Sequence, residues 1–146
     1  MAKKILAVML LLSLTAAFAC AEDTLLEKAT RIAQDGETLI RMSEEDLYDI
    51  VGIEPDEYTD FAYLADMDAL SGREIILLRA ADEDCAQEIV AKLNEYREQR
   101  MHSTRNYLPE VFRCLSETEV LQNDLLIGLS VASANPQEIN LLLQEE

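Results

Sequence analysis

Tryptophan is absent from this chain, and histidine occurs once, as His102. A single histidine cannot build a His-rich metal site, and Ser103 beside it cannot readily face it from a helix. No H-E-x-x-H, G-x-S-x-G, P-loop, C-x-x-C or G-x-G-x-x-G pattern occurs. The familiar zinc, serine-hydrolase, nucleotide and dithiol motifs are therefore excluded, and we expect no catalytic residue, metal or cofactor.

Glycine and proline are scarce, with four and three residues in a chain of 146. No Ser-rich or Pro-rich stretch marks a linker, and no fixed repeat occurs. The chain is long enough for one core. We predict a signal peptide over 1–19, a tether over 20–24 and a single domain over 25–146.

Basic residues are few once the predicted signal peptide is removed. Ten basic residues then face 29 acidic ones, a net charge of −19. Nucleic-acid binding needs clustered lysine and arginine, so this balance excludes it. Anionic membrane surfaces are repelled as well. We therefore expect membrane contact only through a lipid on the chain.

The N-terminus carries the pattern of an export signal. Lys3 and Lys4 precede an apolar run over 5–12, and small residues follow up to Cys20. Cleavage before Cys20 or before Glu22 would release a secreted protein. Lipidation of Cys20 would instead anchor it at the cell membrane, although Phe18 departs from the usual lipobox. An uncleaved anchor is disfavoured because the apolar run is short.

Hydrophobic periodicity and turn residues predict an α+β fold. Helices are expected over 25–33, from Ser43 to Gly52, over 83–104, from Pro109, and from Asn135-Pro136 onward. Strands are expected over 58–65 and 74–80, and in a hairpin over 120–131 that turns at Asn123-Asp124. The order ααββααββα favours a mainly antiparallel four-stranded sheet with helices on one face.

Carboxylates are the one abundant reactive group. Asp66-Met67-Asp68 resembles part of a calcium loop but lacks a third ligand and a closing glutamate. Paired carboxylates could also hydrolyse a glycosidic bond, but a sugar cleft needs many aromatic residues, and this chain has no tryptophan and a small core. Cys85 and Cys114 fall about 20 Å apart on antiparallel helices. A disulfide needs about 7 Å, so we predict that they are unbonded.

A basic interval interrupts the acidic chain. Residues 92–113 carry a net charge of +2, against −21 for the rest of the mature chain. Two interpretations follow. In the favoured one, these residues neutralise acidic partners inside the domain, with Lys92 near Glu88 and Arg97 near Glu110 or Tyr107. In the other, they form a docking face for an anionic partner, made of Arg97, Arg100 and Arg105.

Short motifs recur in a characteristic order: Gly52-Ile53, Asp56-Glu57-Tyr58, Arg73-Glu74-Ile75, Tyr96-Arg97 and Tyr107-Leu108-Pro109-Glu110, followed by the hairpin. Over about residues 25–145 this series resembles an uncharacterised family of short lipoproteins from Gram-positive gut bacteria. The resemblance implies a small extracytoplasmic domain, often lipidated, with no assigned activity.

Together these features predict an exported, acidic, non-catalytic binding or interaction module, held at the cell surface by Cys20 or secreted. Its partner would be an unknown protein or a component of the cell envelope. The alternatives from other classes are a small carboxylate-dependent hydrolase and a calcium-binding surface protein.

Overall fold

A computed structural model describes residues 23–33, 38–68 and 70–131. In these ranges the chain forms four helices and five strands. In chain order they are α1 (Leu25–Ala33), β1 (Leu39–Arg41), α2 (Glu44–Val51), β2 (Tyr58–Asp66), β3 (Glu74–Ala80), α3 (Glu83–Thr104), α4 (Pro109–Glu117), β4 (Leu121–Asn123) and β5 (Leu126–Val131). The α+β class is confirmed. The predicted signal peptide, Cys20 and the helix from Asn135 lie outside the described residues.

The strands form one antiparallel sheet in the order β1-β2-β3-β5-β4. Tyr63, Ile76 and Leu129 lie opposite one another across β2, β3 and β5. The prediction of four strands was wrong, because it omitted β1. This edge strand is only three residues long, and two of the three are exposed, so its sequence carries no alternating pattern. The observed order is therefore αβαββααββ over the described residues.

Helices cover both faces of the sheet, which corrects the prediction of one covered face. The run Ile75-Ile76-Leu77-Leu78 in β3 sends alternate side chains to opposite sides. Ile76 and Leu78 join the larger core with α2, α3 and α4. Ile75 and Leu77 instead pack with the apolar side of α1. A strand buried on both faces needs a covering layer on each.

Local capping signals set the helix boundaries as predicted. Ser43 and Asp46 form a reciprocal capping box at the start of α2. Gly52 ends that helix in the left-handed conformation, with φ of 80°. Pro109 occupies the first turn of α4, and the side chain of Asp82 caps α3. Across the described ranges, no helix combines the length and the apolar composition needed to cross a membrane.

Candidate functional site

The most unusual group in the core is the carboxylate of Glu74, at the start of β3. Glu74 is only 3% exposed and lies on the face of the sheet that α3 covers. It is opposite Ala65 of β2, which makes Tyr63 its diagonal neighbour on the same face. Tyr96 and Arg100 are four residues apart in α3, so they project together toward it.

Both oxygens of the Glu74 carboxylate are engaged. Tyr96 Oη donates a hydrogen bond of 2.8 Å to Oε2, and Tyr63 Oη donates one of 3.3 Å to the same atom. Arg100 Nη1 forms an ion pair with Oε1. Arg100 Nη2 also donates to the carbonyl oxygen of Gly72, at 3.2 Å. The four side chains form the Glu74 cluster, which links α3 to β2 and β3.

The electrostatics of this cluster follow from its burial. Burial raises the pKa of Glu74, while Arg100 and the two tyrosine hydroxyls oppose that rise. Burial and the charge of Glu74 raise the pKa of both Tyr63 and Tyr96, so their hydroxyls stay protonated as donors. The guanidinium of Arg100 balances the carboxylate. A carboxylate enclosed in this way stabilises packing and has no free oxygen to offer a substrate.

A second buried carboxylate lies at the other end of the β2-β3 hairpin. Glu57 Oε2 accepts bonds from Lys92 Nζ at 2.5 Å and from the Glu54 backbone N–H at 2.6 Å. Arg97 Nη1 donates to the carbonyl oxygen of Thr118. The predicted partners of Lys92 and Arg97 were therefore wrong. Lys92 pairs across the fold with Glu57 and not along its own helix with Glu88. Arg97 binds at the C-terminal end of α4, and the prediction had placed it near Tyr107 or Glu110 at the other end of that helix.

The three arginines of the predicted docking face have different surroundings. Arg97 and Arg100 are half-buried and bonded within the domain. Arg105 is exposed just after the end of α3. Of these three arginines, Arg105 is therefore the one that the structure leaves exposed at the surface. The internal pairing of Arg100 accounts for part of the basic interval.

Sequence reasoning missed Glu74 and Tyr63 as members of a site. The available signal was a glutamate at the head of an apolar strand, where a charged side chain requires a buried partner. The sequence did not say which of the basic residues supplies it. Arg100 is 26 positions away, a separation that only the packing of α3 on the sheet brings within reach.

The remaining candidates also have defined surroundings. Asp68 Oδ1 accepts a bond from the Leu70 backbone N–H at 2.9 Å, which closes the turn after β2. His102 is exposed near the end of α3. Cys85 and Cys114 are free and half-buried against the main core. Within the described ranges, no three His, Cys, Asp or Glu side chains converge as metal ligands.

Asp66 provides a test of the turn that contains the candidate calcium motif. The backbone N–H of Asp68 and the side chains of Arg73, Ser71 and Thr38 lower the pKa of Asp66 to about 2. Because this folded pKa is depressed, the stabilisation exists above the ordinary value near 3.9 and is lost as pH falls toward 2. We expect an NMR titration of the Asp66 carboxyl to show a midpoint near pH 2.

The matched variant for this titration is Arg73→Met, which removes the two hydrogen bonds that the guanidinium donates to Asp66 Oδ2. Its midpoint should move upward while the backbone bond from Asp68 remains. An Asp66 midpoint near 4 in the unsubstituted protein would contradict the geometry of this turn.

Comparison with known proteins gives one positive result. No curated protein and no solved structure is significantly similar to the chain. A family model described as Domain of unknown function (DUF4358) matches residues 33–132. The match begins at the last residue of α1 and ends just after β5, so it spans the whole sheet. The resemblance to an uncharacterised family is thereby confirmed, and the chain belongs to the DUF4358 family.

Proposed function

We propose that this protein is an exported, non-catalytic interaction module of the cell surface. The observation that carries the proposal is the closed Glu74 cluster. The buried carboxylate is held by Arg100, Tyr63 and Tyr96 within the packed core. Catalysis by a carboxylate of raised pKa requires that group to face a cleft and a substrate. The N-terminal signal pattern and the acidic composition support a role outside the cytoplasm.

Among the residues that the structure describes, neither alternative function gains a specific supporting contact. Asp66 and Asp68 direct their carboxylate oxygens to backbone N–H groups and to Arg73 in the turn after β2. These bonds stabilise the hairpin and already use oxygens that calcium would need. A hydrolase would need two carboxylates separated by a substrate-sized gap. The interaction module is therefore the stronger proposal.

Anchoring through a lipid on Cys20 is part of this proposal. We expect the protein recovered from its own cells to have the intact mass of a chain that starts at Cys20 and carries diacylglycerol. Diacylglycerol attached to this one residue would insert two acyl chains into the membrane, and two chains are enough for stable anchoring. Mass spectrometry of the membrane fraction measures this directly.

The control is Cys20→Ser, which removes the thiol that accepts the lipid. This variant should lack the mass of the lipid and leave the membrane fraction. An unmodified chain starting at Cys20 or Glu22 would mean a secreted protein without an anchor. A chain that retains residues 1–19 inside the cell would contradict export and with it the proposed function.

A further inference from the structure

Three large apolar side chains lie mostly in solvent at one end of the domain. Met67 is 75% exposed, Leu70 67% and Tyr107 84%. They are the most exposed large hydrophobic residues in the described ranges. Met67 and Leu70 belong to the turn between β2 and β3, and Tyr107 to the connection between α3 and α4. Single exposed apolar side chains are common, but several gathered at one end of a domain mark a site of contact with a protein or a membrane.

The two loops that carry these residues adjoin each other. Arg100 Nη2 of α3 donates to the carbonyl oxygen of Gly72 in the hairpin turn. Gly72 also packs so closely on Val111 of α4 that an added Cβ would lie 2.5 Å from Val111 Cγ1. Leu70 is two residues from Gly72, and Tyr107 is four residues from Val111. We call the end of the domain at which Met67, Leu70 and Tyr107 are exposed the apolar end.

The apolar end is electrically neutral in a strongly acidic chain. Residues 66–73 and 102–108 carry two acidic and two basic side chains, namely Asp66, Asp68, Arg73 and Arg105. Asp66 and Arg73 are paired at 2.9 Å. An anionic bilayer repels the chain as a whole, but its electrostatic repulsion of this neutral end is weak.

The opposite end of the same hairpin has a very different charge. Residues 52–58 and 80–85 meet there, since the Ala81 backbone N–H donates to the Glu57 carbonyl oxygen at 2.9 Å. These segments contain six acidic side chains and no basic one: Glu54, Asp56, Glu57, Asp82, Glu83 and Asp84. Lys92 from α3 compensates one of them. The domain is thus polarised along its strands, from an acidic end to the apolar end.

We propose that the apolar end contacts a phospholipid bilayer, with Met67, Leu70 and Tyr107 inserted at the boundary between headgroups and acyl chains. This inference rests on the proposed function, and it names the envelope component that the exported module binds. Tyrosine favours that boundary because its ring is apolar and its hydroxyl stays hydrated. The charge polarity orients the domain, because an anionic surface repels the acidic end. Membrane contact would then extend beyond Cys20, contrary to the expectation from net charge.

The absence of tryptophan permits a direct test in the full-length protein. Tyr107→Trp places the sole indole at the apolar end. With vesicles of phosphatidylcholine brominated on the acyl chains, we expect its emission to shift to the blue and to fall by about half or more, because bromine quenches indole only at close range. The control is Tyr48→Trp, at an exposed position of α2 next to Glu54 and Pro55 near the acidic end. Its emission should remain unchanged.

A second comparison tests whether Met67 and Leu70 insert into the bilayer or only lie near it. Met67→Ser with Leu70→Ser, introduced into the Tyr107→Trp protein, should lower the vesicle affinity about tenfold or more. These side chains are exposed, so the fold is unaffected. Equal quenching at positions 48 and 107, or none at 107, would overturn the proposal. Tyr48→Trp and Tyr107→Trp carry the same N-terminus, so the difference in quenching between them is independent of signal processing, and failure here is distinguishable from failure of export.

Discussion

Replacing Arg100 by methionine should lower the free energy of unfolding by about 3–5 kcal/mol at neutral pH. The substitution keeps most of the side-chain volume but removes the charge that balances Glu74. The carboxylate would remain almost completely buried, with only the hydroxyls of Tyr63 and Tyr96 as donors. Denaturant unfolding monitored by circular dichroism measures the loss.

The pH dependence of this loss identifies its cause. Burial raises the pKa of Glu74, and Arg100 opposes that rise. The pKa of Glu74 is already raised in the folded parent protein, and loss of Arg100 raises it further. The variant is therefore relatively most stable below about pH 4 and loses more stability than the parent as pH rises. The difference from the parent protein should therefore be smaller at pH 4 than at pH 7. A loss independent of pH would indicate that packing alone had changed.

Two further variants complete the comparison. Arg113→Met removes ion pairs with Glu110 and Glu117 in which all three side chains are exposed. This substitution should lower the free energy of unfolding by less than about 1 kcal/mol. Adding Glu74→Gln to Arg100→Met should recover part of the loss, because a neutral amide replaces the uncompensated charge. If Arg113→Met and Arg100→Met cost the same, the Glu74 cluster has no special role in stability.

Substitution of Gly72 by alanine should be the second severe change, with an expected loss of about 2–4 kcal/mol. Two costs combine at this position. Its φ of 65° lies in the left-handed region, which disfavours a Cβ. The new Cβ would also lie 2.5 Å from Val111 Cγ1, so the turn and α4 would have to separate. Thermal or denaturant unfolding measures the loss.

Gly52 provides a matched control for the steric cost. Its φ is 80°, yet an added Cβ there meets no atom within 4 Å. Gly52→Ala should therefore show only the conformational cost, about 1–2 kcal/mol. Gly72→Ala should lose more unfolding free energy than Gly52→Ala. Adding Val111→Ala should reduce this difference, because it removes the Val111 side-chain atoms closest to the new Cβ. Equal losses for the two glycine variants would contradict the close approach of the hairpin turn to α4.

Local signals allowed much of the fold to be predicted. The capping box of Ser43 and Asp46, the C-terminal Gly52 and the N-terminal Pro109 each act within one helical turn. Their effect is encoded by neighbouring residues, so the sequence suffices. The two hairpins were predicted for the same reason, since their turns include Gly72 and Asp124 at positive φ.

Longer-range features required the tertiary structure. Strand β1 exists because Leu39 to Arg41 pairs with the end of β2, more than 20 residues later. Helix α1 covers the face of the sheet that α2, α3 and α4 leave open, and which face that is depends on how those helices pack on the sheet. The apolar end likewise needs two loops that are 30 residues or more apart to adjoin each other.

By itself, the sequence determined the acidic charge, the signal pattern ending at Cys20, the helices and the antiparallel hairpins, because each depends on composition or on neighbouring residues. Only the tertiary structure decided how the basic interval is used. Arg100 neutralises Glu74 inside the domain, Arg97 binds a backbone carbonyl, and Arg105 stays exposed beside Tyr107. The physical reason is burial: a charge removed from water must find its partner wherever the fold brings one within reach.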